Sequence, residues 1–296
     1  MVGPSQERAA GSASESGPLA IVCGGGTLPL TVADAASRTG RRVVMFALRG
    51  FADRQVERFP CHWIALGAFG RFFGLLRAEG CRDLVFIGAV TRPSFGHLRL
   101  DWTTIRRLPR LARAFRGGDD HLLAGIARLI EDEGFRVLGE HEVAPEILLA
   151  EGPLGTRVPN ERDRIDIERG LDLLAATGPF DVGQAAVVAG RHVLAIEAIE
   201  GTDRMLDRIA ALRQEGRIRV APGTGVLVKA PKAQQDRRLD LPSIGPATVA
   251  AVARAGLAGL AAVAGAAIIA EPQEVARLAD ERGGFVIGLA PTGPNP

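Results

Sequence analysis

The chain has 296 residues, 47% of them hydrophobic, with 36 basic residues against 34 acidic ones and a formal charge of +2. That is enough apolar material for two buried cores, and the near balance of charge leaves no global field for nucleic acid, which is therefore not an expected partner. Any anion site has to be local. Three cysteines, Cys23, Cys61 and Cys81, make an odd count without metal-ligand spacing, so a disulfide framework is not expected and a reducing, cytoplasmic compartment is.

Residues 1–17 are rich in Gly, Ser, Ala and Glu, lack the apolar core of a signal peptide, and read as a disordered tail. LAIVC at 19–23 follows as a buried strand ending on Gly24, Gly25 and Gly26. An amphipathic run from Thr27 to Ala36 predicts a helix stopped at Gly40, and RRVVMFAL predicts a second strand. A third strand is expected over 62–66, a helix over 68–79 and a fourth strand over 83–90, an alternation that builds a parallel sheet with right-handed crossovers. GAVTRP at 88–93 puts Arg92 near that strand's carboxyl end, where ligands of open parallel sheets bind. Residues 102–115 look helical but carry Arg106, Arg107, Arg110 and Arg113, with Arg116 just beyond; they read as a solvated face or as a surface for anionic lipid. Asp119 and Asp120 open a clear helix, with either as its N-cap, and FRVLGEH supplies another strand.

The polar, Pro- and Gly-bearing stretch after Ala150 marks a domain boundary, giving an N-terminal domain over 18–150 and a C-terminal one over 151–291. A helix is expected over 166–176, then two strands, AAVVAG and RHVLAIEAI, joined tightly at Gly190, so the second sheet should be mixed. Glu197, Glu200, Thr202 and Asp203 cluster where the second strand gives way to a helix. They could hold a metal or activate water, or Thr202 or Asp203 could simply cap that helix. The stretch 247–270 is apolar, but Arg254 and its glycines favour a buried helix, turn and strand over a membrane span. AAIIA, a helix over 274–281 and FVIGL complete an α/β domain.

The densest chemistry lies in VKAPKAQQDRRLDLPSIG, 228–245. Pro231 and Pro242 disfavour helix at its two ends, and in an extended chain alternate residues share a face, which groups Lys232, Asp236, Arg238 and Asp240. Carboxylates there suit a divalent metal and the cations suit phosphate. A solvated loop whose charges pair with one another is the competing reading. The glycine loop at 24–26 could present bare backbone N–H groups to a pyrophosphate. Pro29 stands where a dinucleotide fingerprint has its third glycine, however, and the second strand lacks an acidic ribose ligand.

Taken in order, GGGTLP, GAVTRP, GGDDHLL, EAIEGTDRM and VKAPKAQQDRRLDLPSIG resemble the two-domain UDP-2,3-diacylglucosamine diphosphatases of lipid A biosynthesis, the kind unrelated to the calcineurin-like enzymes. The likeness covers roughly 18–289. It implies an α/β protein with a Rossmann-like parallel-sheet domain and a second, mixed-sheet domain. It also implies Mg2+-dependent hydrolysis of the substrate's pyrophosphate to UMP and 2,3-diacylglucosamine 1-phosphate (lipid X). On that resemblance Asp236, Asp240 and Lys232 carry the catalytic expectation, and Asp236, Glu197, Glu200 and Asp203 the metal. Gly24, Gly25, Gly26, Arg92, Asp119, Asp120, Thr202, Lys229 and Arg238 are expected on the substrate side. The two acyl chains imply an apolar cavity, expected between the domains, and peripheral contact with inner-membrane lipid; a homodimer is compatible with the reading. The competing classes are an NAD-dependent oxidoreductase and a non-catalytic sugar-nucleotide binding protein.

Overall fold

The computed structural model describes residues 17–90, 104, 119–232 and 236–291, the side chains of 119–122 excepted. Residues 1–16 of the expected tail, Arg92 and the arginines of 106–116 lie outside the described residues. The chain divides into two compact units, Met1–Pro145 and Glu146–Pro296.

The first unit runs β1 (Leu19–Cys23), α1 (Leu28–Arg38), β2 (Val43–Leu48), β3 (Cys61–Ile64), α2 (Phe69–Ala78), β4 (Asp83–Ile87), α3 (Asp119–Glu131), β5 (Arg136–Leu138) and the short α4 (Glu140–Val143). Its five strands lie in the order β3-β2-β1-β4-β5, every neighbouring pair parallel. β1 and β2 are buried at every position, as continuous apolar runs must be when both faces of a parallel sheet are covered. Asp83, which opens β4, is a buried carboxylate that accepts from Arg136 Nε at 2.8 Å and Nη2 at 2.9 Å and pairs with Arg41. Burial pushes its carboxyl up, but the two guanidiniums outweigh burial and hold it below the usual carboxylate range. The cysteines are free thiols; burial pushes Cys23 up to about 12 and Cys81 to about 11, which makes both inert. The described part of α3 begins at Asp119 and Asp120.

In the second unit β6 (Gly152–Pro153), α5 (Glu161–Thr177), β7 (Ala185–Ala189), β8 (His192–Ile196), α6 (Gly201–Gln214), β9 (Val226–Lys229) and β10 (Ser243–Ile244) lead to α7 (Pro246–Arg254). β11 (Gly259–Val263), β12 (Ile268–Ile269), α8 (Pro272–Glu281) and β13 (Phe285–Leu289) follow. A six-stranded sheet has the order β6-β13-β11-β9-β7-β8, with β9, β11 and β13 parallel and β7 antiparallel to both its neighbours. The sheet is therefore mixed. The β7–β8 hairpin turns on Gly190 and Arg191, at φ 57° and 68°, the doubly left-handed turn that suits the strands' twist. The buried Asp166 carboxylate of α5 accepts both turn N–H groups, at 2.9 and 2.6 Å. Alternation along the strands splits the core: Val187, Leu227, Leu260 and Val286 face α6, α7 and α8, while Ala186, Val226, Val228, Ala261 and Phe285 face α5.

The units divide at Pro145, near the boundary expected at 150, and the Leu149 N–H donates to the Ala267 carbonyl at 2.8 Å while its carbonyl accepts from Gly265. Two expectations are corrected. α5 starts at Glu161, earlier than its apolar periodicity indicates, because the Asn160 side chain accepts from the N–H groups of Arg162 and Asp163 and caps it. AAIIA contributes only the two-residue β12, paired with β10 in a separate ribbon, while the central strand β11 is the small-residue run GLAAV. Among the described residues no helix is long and apolar enough to cross a membrane.

Candidate functional site at the carboxyl end of β9

Lys229 is the last residue of β9 and is buried, although its neighbours in the strand are aliphatic. Its Nζ donates to the Ser243 carbonyl at 2.9 Å and to Thr202 Oγ1 at 3.2 Å. Thr202 Oγ1 in turn donates to Glu197 Oε1 at 2.9 Å, which is why this threonine, inside the first turn of α6, does not act as a helix cap. Glu197 Oε2 accepts from the Gln184 N–H at 2.9 Å, and the Gln184 side-chain Nε2 donates to Asp240 Oδ2 at 2.7 Å. Residues from five segments thus meet at one end of the sheet: the start of β7, the exits of β8 and β9, the first turn of α6, and the stretch from Asp240 to Ser243. Burial pushes the Lys229 amine below the ordinary lysine range, opposed by the fields of Glu197, Asp203 and Asp240. A buried amine, a hydroxyl and carboxylates on one sheet edge can bind an anion and position water beside it.

Part of the segment expected to be extended is a turn. Asp236 begins a turn closed by the Leu239 N–H donating to its carbonyl at 2.9 Å, and its carboxylate accepts from the Arg238 N–H at 3.0 Å and from Arg238 Nη2 at 2.8 Å. Arg238 beside it holds the Asp236 carboxyl below the usual range, so Asp236 is ionised at neutral pH. Of the predicted group Lys232, Asp236, Arg238 and Asp240, Asp236 contacts Arg238, while Lys232 pairs with Asp181 and Asp240 with Gln184.

Nor do Asp236, Glu197, Glu200 and Asp203 form one metal cage, since among the described residues no three His, Cys, Asp or Glu side chains converge to hold an ion. Glu200 pairs instead with Arg208 at 3.1 Å. Magnesium, however, keeps several waters and is commonly held by one or two carboxylates together with substrate phosphates. Glu197 and Asp240 are both tied to Gln184, through its backbone N–H and its side-chain amide.

In the first unit Gly24, Gly25 and Gly26 follow β1 at the switch point between β1 and β4. Two of their amides are already used: Gly24 donates to the Ile87 carbonyl at 3.0 Å, and Gly25 exchanges two bonds of 2.9 Å with Ala89. A Cβ on Gly24 would lie 2.3 Å from the Ala89 oxygen and one on Gly25 3.0 Å from the Phe51 oxygen, so these two glycines serve backbone packing. Gly26, at φ +97° with open space around it, is the one of the three that faces no such neighbour.

Sequence reasoning missed Gln184 and the Ser243 carbonyl. A lone amide directly before the wholly apolar β7 is a signal for Gln184; a backbone carbonyl leaves none.

Residues 18–147 match the LpxI N-terminal domain and 150–287 the LpxI C-terminal domain. The chain is 43% identical over 273 residues to the UDP-2,3-diacylglucosamine pyrophosphatase LpxI of Caulobacter vibrioides, an alignment that covers 92% of this chain and 98% of the relative. With both domains matched in order and that identity over nearly the whole length of each protein, the chain belongs to the LpxI family.

Proposed function

We propose that the chain hydrolyses the pyrophosphate of UDP-2,3-diacylglucosamine, releasing UMP and 2,3-diacylglucosamine 1-phosphate, with magnesium as cofactor and in a cytoplasmic setting. One observation carries the reading in this family member: a buried lysine at the carboxyl end of a sheet, held by Thr202 and Ser243 among Glu197, Asp203 and Asp240. Breaking the anhydride forms a P–O bond to water, expels a phosphate oxygen and frees a proton. The negative charge that spreads over the phosphates has to be met by fixed cations. Lys229 is fixed by two acceptors, and Arg238 is fixed by Asp236, so neither has to reorganise as that charge develops. Glu197 and Asp240 would hold magnesium, which when bound neutralises phosphate charge and lowers the pKa of its water. Asp236, ionised and only part-buried, orients the attacking water.

Contact with inner-membrane lipid belongs to the same reading. Phe180 and Ile199 are 79% and 80% exposed, and both flank the strand ends that carry Glu197 and Gln184, since the Gly183 N–H donates to the Glu197 carbonyl at 2.9 Å. Exposed apolar side chains beside a site for a diacylated substrate are suited to the bilayer from which that substrate comes.

Hydrolysis in 18O-labelled water tests the proposal. UMP and the lipid phosphate should form only with magnesium, with one label in the lipid phosphate, and absence of UMP with the intact protein contradicts the reading. Run on vesicles and in detergent, the same assay should show Phe180→Ser with Ile199→Ser slow on vesicles only; equal loss in both settings removes the lipid contact.

A further inference from the structure

The geometry points to Gln184 as a positioning residue that aligns the Asp240 carboxylate with the Lys229 site, an inference that rests on the pyrophosphatase reading. Gln184 joins three segments. Its N–H donates to Glu197 Oε2 at 2.9 Å, its carbonyl accepts from the Ala230 N–H at 3.0 Å, and its Nε2 donates to Asp240 Oδ2 at 2.7 Å. The first two bonds belong to the main chain and do not depend on which side chain stands at 184. Only the third reads the amide. Substitution at this position therefore cuts the tie to Asp240 while leaving the ties to Glu197 and to the exit of β9.

The tie matters because Asp240 lies in a loop and not on a strand. The turn 236–239 is closed internally by Asp236 and Arg238, and Arg237 bonds the Gly265 carbonyl, so the turn is held as a unit. The amide of Gln184 connects the carboxylate at the end of that unit to the sheet edge carrying Lys229 and Glu197. A glutamine suits the position where a glutamate does not, because its Nε2 donates to the carboxylate, whereas a second carboxylate at that distance would repel it. Asparagine, one methylene shorter, would not span the gap.

The test compares Gln184→Leu and Gln184→Glu with the parent under single-turnover conditions, together with retention of labelled UDP-2,3-diacylglucosamine in EDTA and thermal melting. Turnover should fall by roughly 10- to 100-fold, more for Glu than for Leu, with retention within about threefold and the melting midpoint little changed. Placed on an Asp240→Asn background, Gln184→Leu should add less than about threefold, because a residue that acts through Asp240 has nothing left to act on. Fully additive losses, parental turnover in both variants, or a loss confined to retention would overturn the assignment. Failure of both variants to fold would also overturn it by making Gln184 a structural residue. A parent protein that releases no UMP would instead sink the pyrophosphatase reading on which the inference stands.

Discussion

Lys229 is the residue at which stability and function pull apart. Burial lowers its pKa from the ordinary 10.5, so the unfolded chain binds this proton more readily than the folded one. By linkage, folding stability rises with pH from the folded pKa up to the unfolded value and is flat above it; the group works against the fold at neutral pH. Lys229→Met fills similar space without a charge, and its melting midpoint at pH 7 should equal or exceed the parent's while UMP release falls at least about 100-fold. Melting at pH 7 and pH 10 checks the sign: the parent gains on the variant as pH rises. A destabilised Lys229→Met with proportionate residual activity would make the lysine a structural member of the core.

At the level of elements, the glycine turn after β1 is a packing device. Gly24→Ala would force its methyl against the Ala89 carbonyl, and overpacking of this kind costs roughly 1–3 kcal/mol, so the variant should melt several degrees lower with kinetics near parental once folded. A stable variant with impaired kinetics would return the turn to ligand binding. The same contrast explains what the sequence could disclose. LAIVC and VVMFAL were legible as strands because they are continuous apolar runs, and the β7–β8 hairpin because Gly190 interrupts one. β11 was not, because Gly259 and two alanines carry no strand signature. Its glycine is required by close packing, a Cβ there lying 2.5 Å from the Phe285 ring. The geometry around the candidate site was less legible. Prolines at 231 and 242 argue for extended chain, yet the Asp236 carboxylate captures the Arg238 N–H and residues 236–239 form a turn. Asp240 consequently meets Gln184, a partner far away in sequence that no local pattern announces.

For the molecule as a whole, two α/β units, one with a parallel and one with a mixed sheet, match the two LpxI domains in order, and the second brings a buried lysine, a hydroxyl and carboxylates to one sheet edge. Cations that hold phosphates should secure the substrate even when the chemistry is removed, and Asp236 is the residue at which the two separate. It is ionised, clamped by Arg238 and 31% exposed, and the proposed function gives it the role of orienting water without carrying the substrate's charge. The most direct measurement is therefore single-turnover UMP release from UDP-2,3-diacylglucosamine by the intact protein and by Asp236→Ala, with retained substrate measured on the same samples. The account predicts magnesium-dependent release by the parent and a loss of about 10³-fold or more in the variant, roughly 4 kcal/mol, with substrate still bound. Release by a folded Asp236→Ala within about tenfold of the parent, or loss of substrate retention together with activity, would contradict it.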